Sequence, residues 1–181
     1  ELAGTVQQTR CWNRVALHHM AYKDLRQAFP ELGSQMACNV IYSVSRACRA
    51  VYQGRGSPFS LQALGEHAPL PRVRFEPDAP VYFDRHTLSI RDGRASMFTL
   101  DGRMRFDIPL STEDEGRFRR DRMAEVVLHR RQQSFVLDFV FATEGESAGK
   151  RDGDGALPTF ISISPDPSAA ADHLTDRTNQ T

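Results

Sequence analysis

The spacing of apolar residues along this chain changes once, at Pro69 and Pro71. Before these prolines, apolar residues recur every three or four positions, which is typical of helices that bury one side. After them, apolar and polar residues alternate, which is typical of strands with one buried face. Because a helical period does not suit a strand, nor a strand period a helix, the change predicts an α+β chain with helices first and antiparallel strands after them.

The helical part is predicted to contain two long helices. The first covers residues 2–28 and ends at the Pro30 to Gly33 break. The second begins with Ser34 as its N-cap and ends at the glycine- and proline-containing segment 54–58. Together they form an antiparallel helical hairpin or a small bundle, and a short helical turn follows near residues 60–65.

The alternating part is predicted to be a meander or a small barrel of short strands. Asp92-Gly93 and Asp101-Gly102 are dipeptides typical of hairpin turns. The charged segment 111–121 is expected to be a solvated loop with a short helical turn. The later segments are predicted, in order, as a strand at 124–128, a turn at 129–133, a strand at 134–142 and a further strand at 157–163. The predicted domains are therefore a helical lobe at 1–68, a β-barrel at 69–163 and a disordered tail at 164–181.

The balanced formal charge of the chain, 23 Lys+Arg against 23 Asp+Glu, hides an uneven distribution. Residues 1–75 hold nine basic and four acidic residues, a net of +5, whereas residues 143–181 hold three and seven, a net of −4. All of the basic residues except Lys23 and Lys150 are Arg. The planar guanidinium suits phosphates and stacked bases, but a GC-rich genome produces the same bias. Composition therefore leaves polyanion binding open.

Few residue patterns in the chain indicate catalysis or a bound metal. Three cysteines without Cys-x-x-Cys spacing favour small packing residues over a disulfide framework or a zinc ribbon. His18-His19 is the one histidine cluster, and neighbouring helical positions point about 100° apart, which disfavours a shared metal ion. We predict no catalytic residue, no metal and no cofactor. A small enzyme that uses His18 or His19 is the least favoured alternative.

A series of Arg pairs is the most suggestive pattern. Pairs one helical turn apart, or alternating along a strand, present their guanidinium groups to one side, where they could follow a phosphate backbone. An ordinary solvated surface explains the same pattern about equally well. The predicted nucleic-acid-binding residues are Arg10, Arg14, Arg46, Arg49, Arg72, Arg74, Arg103 and Arg105. The aromatic candidates for base stacking are Trp12, Tyr22, Tyr42 and Tyr52.

Several short motifs occur in a recognisable order. The clearest is 29–37 (FPELGSQMA), and others stand at 11–13 (CWN), 80–84 (PVYFD), 99–103 (TLDGR) and in the hairpin at 124–137. In this order and spacing they resemble the OrfB/TnpB proteins of transposons, RNA-guided nucleases related to the type V CRISPR effectors. The resemblance implies a helical recognition lobe and an OB-like β-barrel, the wedge domain, which together hold guide RNA and an RNA–DNA heteroduplex.

The same resemblance implies positions for the predicted arginines. It assigns Arg10, Arg14, Arg46 and Arg49 to the lobe, and Arg72, Arg74, Arg103 and Arg105 to the barrel or its vicinity. Where that family begins its nuclease domain with a strand carrying a metal-binding Asp, this chain has 161–167 (ISISPDP), and fourteen residues follow. We therefore expect the half that holds nucleic acid without the half that cuts it, with a separate nuclease subunit or a homodimer as candidate partners.

The alternative hypothesis is a protein-interaction or assembly module that has lost nucleic-acid binding and recruits a partner strand at an incomplete barrel edge. Membrane insertion is not expected, because no apolar run approaches the roughly 18 to 20 residues that span a bilayer. No secretory leader is visible in the sequence. The expected location is the cytoplasm.

Overall fold

The computed structural model describes residues 1–142 and 157–164. It is an α+β protein in which helices come first and several small antiparallel sheets follow, as the change of period predicts. The helices are α1 (Leu2–Thr9), α2 (Arg14–Ala28), α3 (Ser34–Gln53), α4 (Leu61–Leu64) and α5 (Thr112–Arg120). The strands are β1 (Arg72–Phe75), β2 (Val81–Phe83), β3 (Leu88–Arg91), β4 (Arg94–Thr99), β5 (Gly102–Asp107), β6 (Met123–Arg131), β7 (Ser134–Phe141) and β8 (Ile161–Ser164).

Two compact units share the described chain. The first contains Glu1–His19, Val44–Ala79 and 157–164, and the second contains Met20–Ser43 and 80–142. The boundary passes through α2 and α3, so each of these helices contributes residues to both units. The predicted domains 1–68 and 69–163 divide the chain by hydrophobic period, and that division stays a prediction. The predicted tail at 164–181 lies outside the described residues apart from Ser164.

The predicted first helix is two helices in the structure. α1 ends because Arg10 takes the left-handed conformation (φ 53°, ψ 27°) at its C-cap. α2 begins after Asn13, whose Oδ1 accepts hydrogen bonds from the backbone N–H groups of Val15 (3.0 Å) and Ala16 (3.1 Å). Asparagine is among the strongest N-cap residues. The single long helix predicted here is therefore wrong, and Arg10 and Arg14 are not one helical turn apart.

The start of α3 is set by a glycine. The backbone N–H of Ala37 donates to the carbonyl oxygen of Gly33 (2.9 Å), so Gly33 holds the N-cap position and Ser34 is the first helical residue. A Cβ atom at position 33 would lie 2.7 Å from Cζ of Phe98. Any larger residue must displace this ring, which packs on the core of the second unit.

The strands form three antiparallel sheets. β1 pairs with β8, β6 lies between β2 and β7, and β4 lies between β3 and β5. The predicted Asp92-Gly93 turn between β3 and β4 is confirmed, since both residues have positive φ (50° and 72°), as a type I′ turn requires. The turn between β4 and β5 is one residue earlier than predicted, because Thr99 pairs with Gly102.

One hydrophobic core joins two of these sheets. Phe83 of β2, Leu88 of β3, Met97 of β4 and Val126 of β6 are buried with Met36 of α3. The predicted antiparallel sheets are therefore confirmed. Within the described residues, however, the strand pairings do not close into a continuous barrel.

The charged segment predicted as a loop with a short helical turn contains a helix of nine residues, α5. Ser111 caps it, and its Oγ accepts a hydrogen bond from the backbone N–H three residues further on (3.1 Å). Acidic residues in the first turn and basic residues in the last turn complement the helix dipole. The ring of Phe118 lies 5.1 Å from those of Phe139 and Phe141, which holds the helix against β7.

The β6–β7 hairpin is longer than predicted. His129, Arg130 and Arg131 continue the pairing of β6 with β7 instead of forming the turn. The turn is limited to Gln132 and Gln133, and Gln132 has a φ of 54°. None of the helices within 1–142 and 157–164 combines the length and the apolar character needed to cross a bilayer.

Candidate functional site

The eight predicted arginines fall into a helical set and a strand set. Arg14 begins α2, Arg46 and Arg49 lie on α3, and Arg10 caps α1. The strand set consists of Arg72 and Arg74 on β1 and Arg103 and Arg105 on β5. The two sets differ in how far the fold itself uses their guanidinium groups.

Arg10 is bonded to the backbone of its own unit. Its Nη1 donates to the carbonyl oxygen of Ala68 (2.8 Å), and its Nη2 donates to that of Glu66. Both carbonyls precede β1, so Arg10 ties this segment to the end of α1. Two of its five N–H donors are used in this way, and Arg10 is half-buried, unlike the exposed arginines of the strands. We therefore leave Arg10 out of the candidate site.

The other helical arginines are mixed in their exposure. Arg14 and Arg46 each interact with another group of the protein, and Arg46 is half-buried. Arg49 is exposed on α3. Three of the four helical arginines thus have an interaction partner within the protein.

Arg72 and Arg74 lie on one side of β1, because residues two apart in a strand share a side. Both are exposed, whereas Val73 between them is buried. In the pairing with β8, Ser164 lies directly opposite Arg72, and Ser162 lies opposite Arg74. Guanidinium and hydroxyl groups both donate to phosphate oxygens. We call this surface the β1–β8 face; its four residues are Arg72, Arg74, Ser162 and Ser164.

The second strand pair lies on the outer side of the β3–β4–β5 sheet. The inner side of this sheet holds the buried residues Leu88, Ala95 and Met97. The register arranges the outer residues in two rows across the three strands, Arg91, Arg94 and Asp107, then Ser89, Ser96 and Arg105, and Arg103 lies on the same side of β5 as Arg105. We call this surface the basic face and define it by Ser89, Arg91, Arg94, Ser96, Arg103, Arg105 and Asp107.

Arg91 and Arg94 were not among the predicted site residues. They flank the Asp92-Gly93 turn and lie directly opposite each other. The Cβ atoms of such a pair are about 4.5 to 5.5 Å apart, and like charges in this position are unfavourable. The signal was present in the sequence, because a two-residue turn places its flanking residues in register. Residues that break a local rule of stability are expected at functional sites.

The charge of the basic face is strongly positive. It has four Arg and one Asp, a net of +3. Asp107 forms an ion pair with Arg94 (Nε to Oδ1, 3.2 Å), and both side chains are exposed. Exposed ion pairs contribute little to stability. Asp107 therefore neutralises only part of the field of the arginines.

A fixed loop borders the basic face at the start of β3. Oδ1 of Asp84 accepts hydrogen bonds from the backbone N–H groups of His86 (3.0 Å) and Thr87 (3.1 Å) and from the Thr87 hydroxyl (2.9 Å). Its Oδ2 accepts one from Nε2 of Gln35 (2.6 Å). The carboxylate of Asp84 therefore stabilises this loop. This structural role is sufficient to explain why an acidic residue stands here, and no catalytic role is needed.

This loop orients one arginine of the basic face. Arg103 donates from Nη2 to the carbonyl oxygen of His86 (2.8 Å) and from Nη1 to Oγ of Ser96 (3.4 Å). Arg105 lies directly opposite Ser96 and is exposed. The face thus combines one arginine held in place by the fold with neighbours that extend into solvent.

The alternative sites have little support in the structure. The rings of His18 and His19 meet edge to face with centroids 5.9 Å apart. Within the described ranges, no group of three or more His, Cys, Asp or Glu could hold a metal ion. Burial raises the pKa of the Cys48 thiol to about 12, so this thiol is protonated at neutral pH and is not a nucleophile.

Two of the predicted stacking aromatics pack on each other within the first unit. Tyr52 is fully buried, and its hydroxyl donates to the carbonyl oxygen of Pro71 (2.7 Å). The ring of Trp12 lies 5.5 Å from that of Tyr52, and its Nε1 donates to Oε1 of Gln53 (3.1 Å). Both rings stabilise the fold.

No family model matches this chain, and neither a curated protein nor a solved structure matches it. The functional conclusion therefore depends on the geometry and charge of the two arginine-bearing faces.

Proposed function

We propose that this chain binds nucleic acid, with structured RNA as the preferred partner, and that it holds the strand without cutting it. The observation that carries the proposal is the basic face, an exposed sheet surface on which Arg91 and Arg94 are placed directly opposite each other. A polyanion that lies along the sheet relieves this repulsion, since each phosphate contact neutralises a guanidinium.

The β1–β8 face supports the same function. Its two arginines alternate with a buried valine and are each opposite a serine hydroxyl. Contacts of this kind position a nucleic acid without reading its sequence. We therefore expect binding that depends weakly on sequence and strongly on salt.

The choice of RNA, with an RNA–DNA heteroduplex as a second ligand, follows from the resemblance to the OrfB/TnpB proteins. An OB-like barrel belongs to the same proposal: the two three-stranded sheets that share the core of the second unit are suitable parts for one, and OB-folds bind oligonucleotides on an open sheet surface.

The test is a titration of a structured RNA at several salt concentrations, read by fluorescence anisotropy. If about five phosphates are neutralised, log K should fall against log salt with a slope of roughly −3.5 to −4.5. Arg91→Gln combined with Arg105→Gln should weaken binding about 30-fold and make the slope less steep by about two.

The matched control is Arg119→Gln combined with Arg120→Gln. These exposed arginines in the last turn of α5 remove the same charge from outside both faces. The control should bind almost as the wild type does. Binding that does not change with salt, or an equal loss in the control, would contradict the proposal.

A second candidate function is assembly through the edge strand β5. Leu100 in the turn before it is 61% exposed, and Met104 on the strand is 47% exposed. Arg103 and Arg105 on the same strand work against pairing with another chain, because charged residues protect sheet edges. Size-exclusion chromatography with light scattering decides the matter: a stable dimer without RNA affinity at low salt favours assembly.

A further inference from the structure

An exposed aromatic ring stands at the end of the β6–β7 hairpin. Phe135 is 75% exposed and lies directly opposite Arg130. Arg131 pairs with Ser134, and the turn residues Gln132 and Gln133 complete the end of the hairpin. We call residues 130–135 the hairpin tip.

Packing within the hairpin does not explain this ring. Phe135, Leu137, Phe139 and Phe141 alternate along β7 and so share one side of the strand. Leu137 and Phe139 pack on the core, and Phe139 and Phe141 contact the ring of Phe118. Phe135 continues the row beyond this cover and is its most exposed member. The ring is therefore accessible to a ligand.

The charges around the ring indicate what kind of ligand. Nε of Arg130 donates to the carbonyl oxygen of Gln132 (3.1 Å), which holds its guanidinium at the turn. Arg131 is 67% exposed, and its Nη2 is 4.0 Å from Oδ2 of Asp138. That carboxylate lies closer to Nε2 of His129 (2.8 Å), although the angle is not that of a hydrogen bond. Arg130 lies on the same side of the hairpin as Phe135, whereas Arg131 lies on the other side with Asp138. One cation thus stands beside an apolar ring, which suits an anionic ligand with a flat aromatic part.

We propose that the hairpin tip binds an unpaired nucleobase, with Phe135 stacked on the base and Arg130 in contact with the adjoining phosphate. Stacking on an aromatic side chain accepts any base, because every base has a π face. The inference rests on the proposed nucleic-acid binding and adds a site for unpaired strand to the phosphate contacts of the basic face.

The experiment compares an unpaired RNA of about 12 nucleotides with a duplex of about the same length. Phe135→Ala should bind the unpaired RNA about 5- to 150-fold more weakly than the wild type and should bind the duplex equally well. Phe135→Trp should keep its affinity, and its fluorescence should be quenched as the base stacks. The wild type contains a single tryptophan, Trp12, so its own titration gives the background.

Leu100→Ala is the matched control, since it shortens another highly exposed apolar side chain at a hairpin turn of the same unit. It should bind both RNAs as the wild type does, and all variants should keep the thermal midpoint of the wild type.

Two results would overturn the hairpin-tip site alone. In the first, Phe135→Ala binds the unpaired RNA as the wild type does, whereas Arg91→Gln with Arg105→Gln binds it more weakly. This result leaves the proposed function intact. The other is an equal loss for both RNAs. Failure of the wild type to bind either RNA would remove the hairpin-tip site and the proposed function together.

Discussion

The β1–β8 face and the basic face arise from the same sequence signal but differ in what lies across from their arginines. On the β1–β8 face, Arg72 and Arg74 are each opposite a serine. On the basic face, Arg94 lies between Arg91 on one side and Asp107 on the other. Alternation along one strand fixes the side on which an arginine lies, whereas the pairing of strands fixes its neighbours and therefore its electrostatic environment.

The comparison has a consequence for binding strength. The β1–β8 face has two cations and two hydroxyl groups, so none of its four residues neutralises another. The basic face has more cations, but two of them interact within the protein: Arg94 forms an ion pair with Asp107, and Arg103 forms two hydrogen bonds. Each face should therefore contribute to RNA binding by itself.

The largest expected effect comes from neutralising both faces. Arg72→Gln and Arg74→Gln, added to Arg91→Gln and Arg105→Gln, should weaken RNA binding about 1,000-fold and make the salt slope less steep by about four. The reason is that separated contacts with no shared partner add. Anisotropy titrations of the two double variants and the quadruple variant measure this. A quadruple variant that binds like Arg91→Gln with Arg105→Gln would limit the interface to the basic face.

Arg10 provides the contrast with both faces, because its guanidinium bonds to backbone carbonyls of its own unit. Arg10→Ala should lower the free energy of unfolding by about 1.5 to 3 kcal/mol, the usual range for hydrogen bonds to a charged group. At a temperature where the protein is folded, RNA binding should be unchanged. Urea denaturation and anisotropy measure the two effects.

The control for Arg10 is Arg49→Ala, which truncates an exposed arginine on α3. Its free energy of unfolding should stay within about 0.5 kcal/mol of the wild type. If Arg10→Ala keeps the stability of the wild type but binds RNA more weakly, Arg10 belongs to the RNA interface and is not needed for the fold.

The smallest expected effect concerns the one acidic residue of the basic face. Asp107→Asn releases Arg94 from its ion pair and raises the net charge of the face. RNA binding should tighten by about 1.4- to fivefold, in line with the roughly 0.2 to 1 kcal/mol of an exposed pair. The measurement is made at low salt, since screening reduces the effect. Weaker binding after this change would mean that Asp107 positions Arg94 for the phosphate.

Parts of the candidate site follow from the sequence, and parts do not. The Asp92-Gly93 turn and the alternation of Arg103 and Arg105 were predictable because both depend on neighbouring residues. The pairing of Arg91 with Arg94 follows from that same turn once its register is considered. By contrast, the guanidinium of Arg10 bonds to carbonyl groups 56 and 58 residues away in the chain. No local sequence pattern indicates these bonds.

The sequence by itself determined the order of helices and strands, the side of each strand on which its arginines lie, and the β3–β4 turn, because periodicity and turn geometry are local properties of the backbone. Only the tertiary structure decided that β1 pairs with β8 and β2 with β6, which depends on burying apolar sides that are far apart in the chain. It also decided which arginines are used by the fold and which face solvent. An N–H group that donates to a carbonyl of the fold is not available to a phosphate, so that division decides how many donors each arginine can offer to the interface.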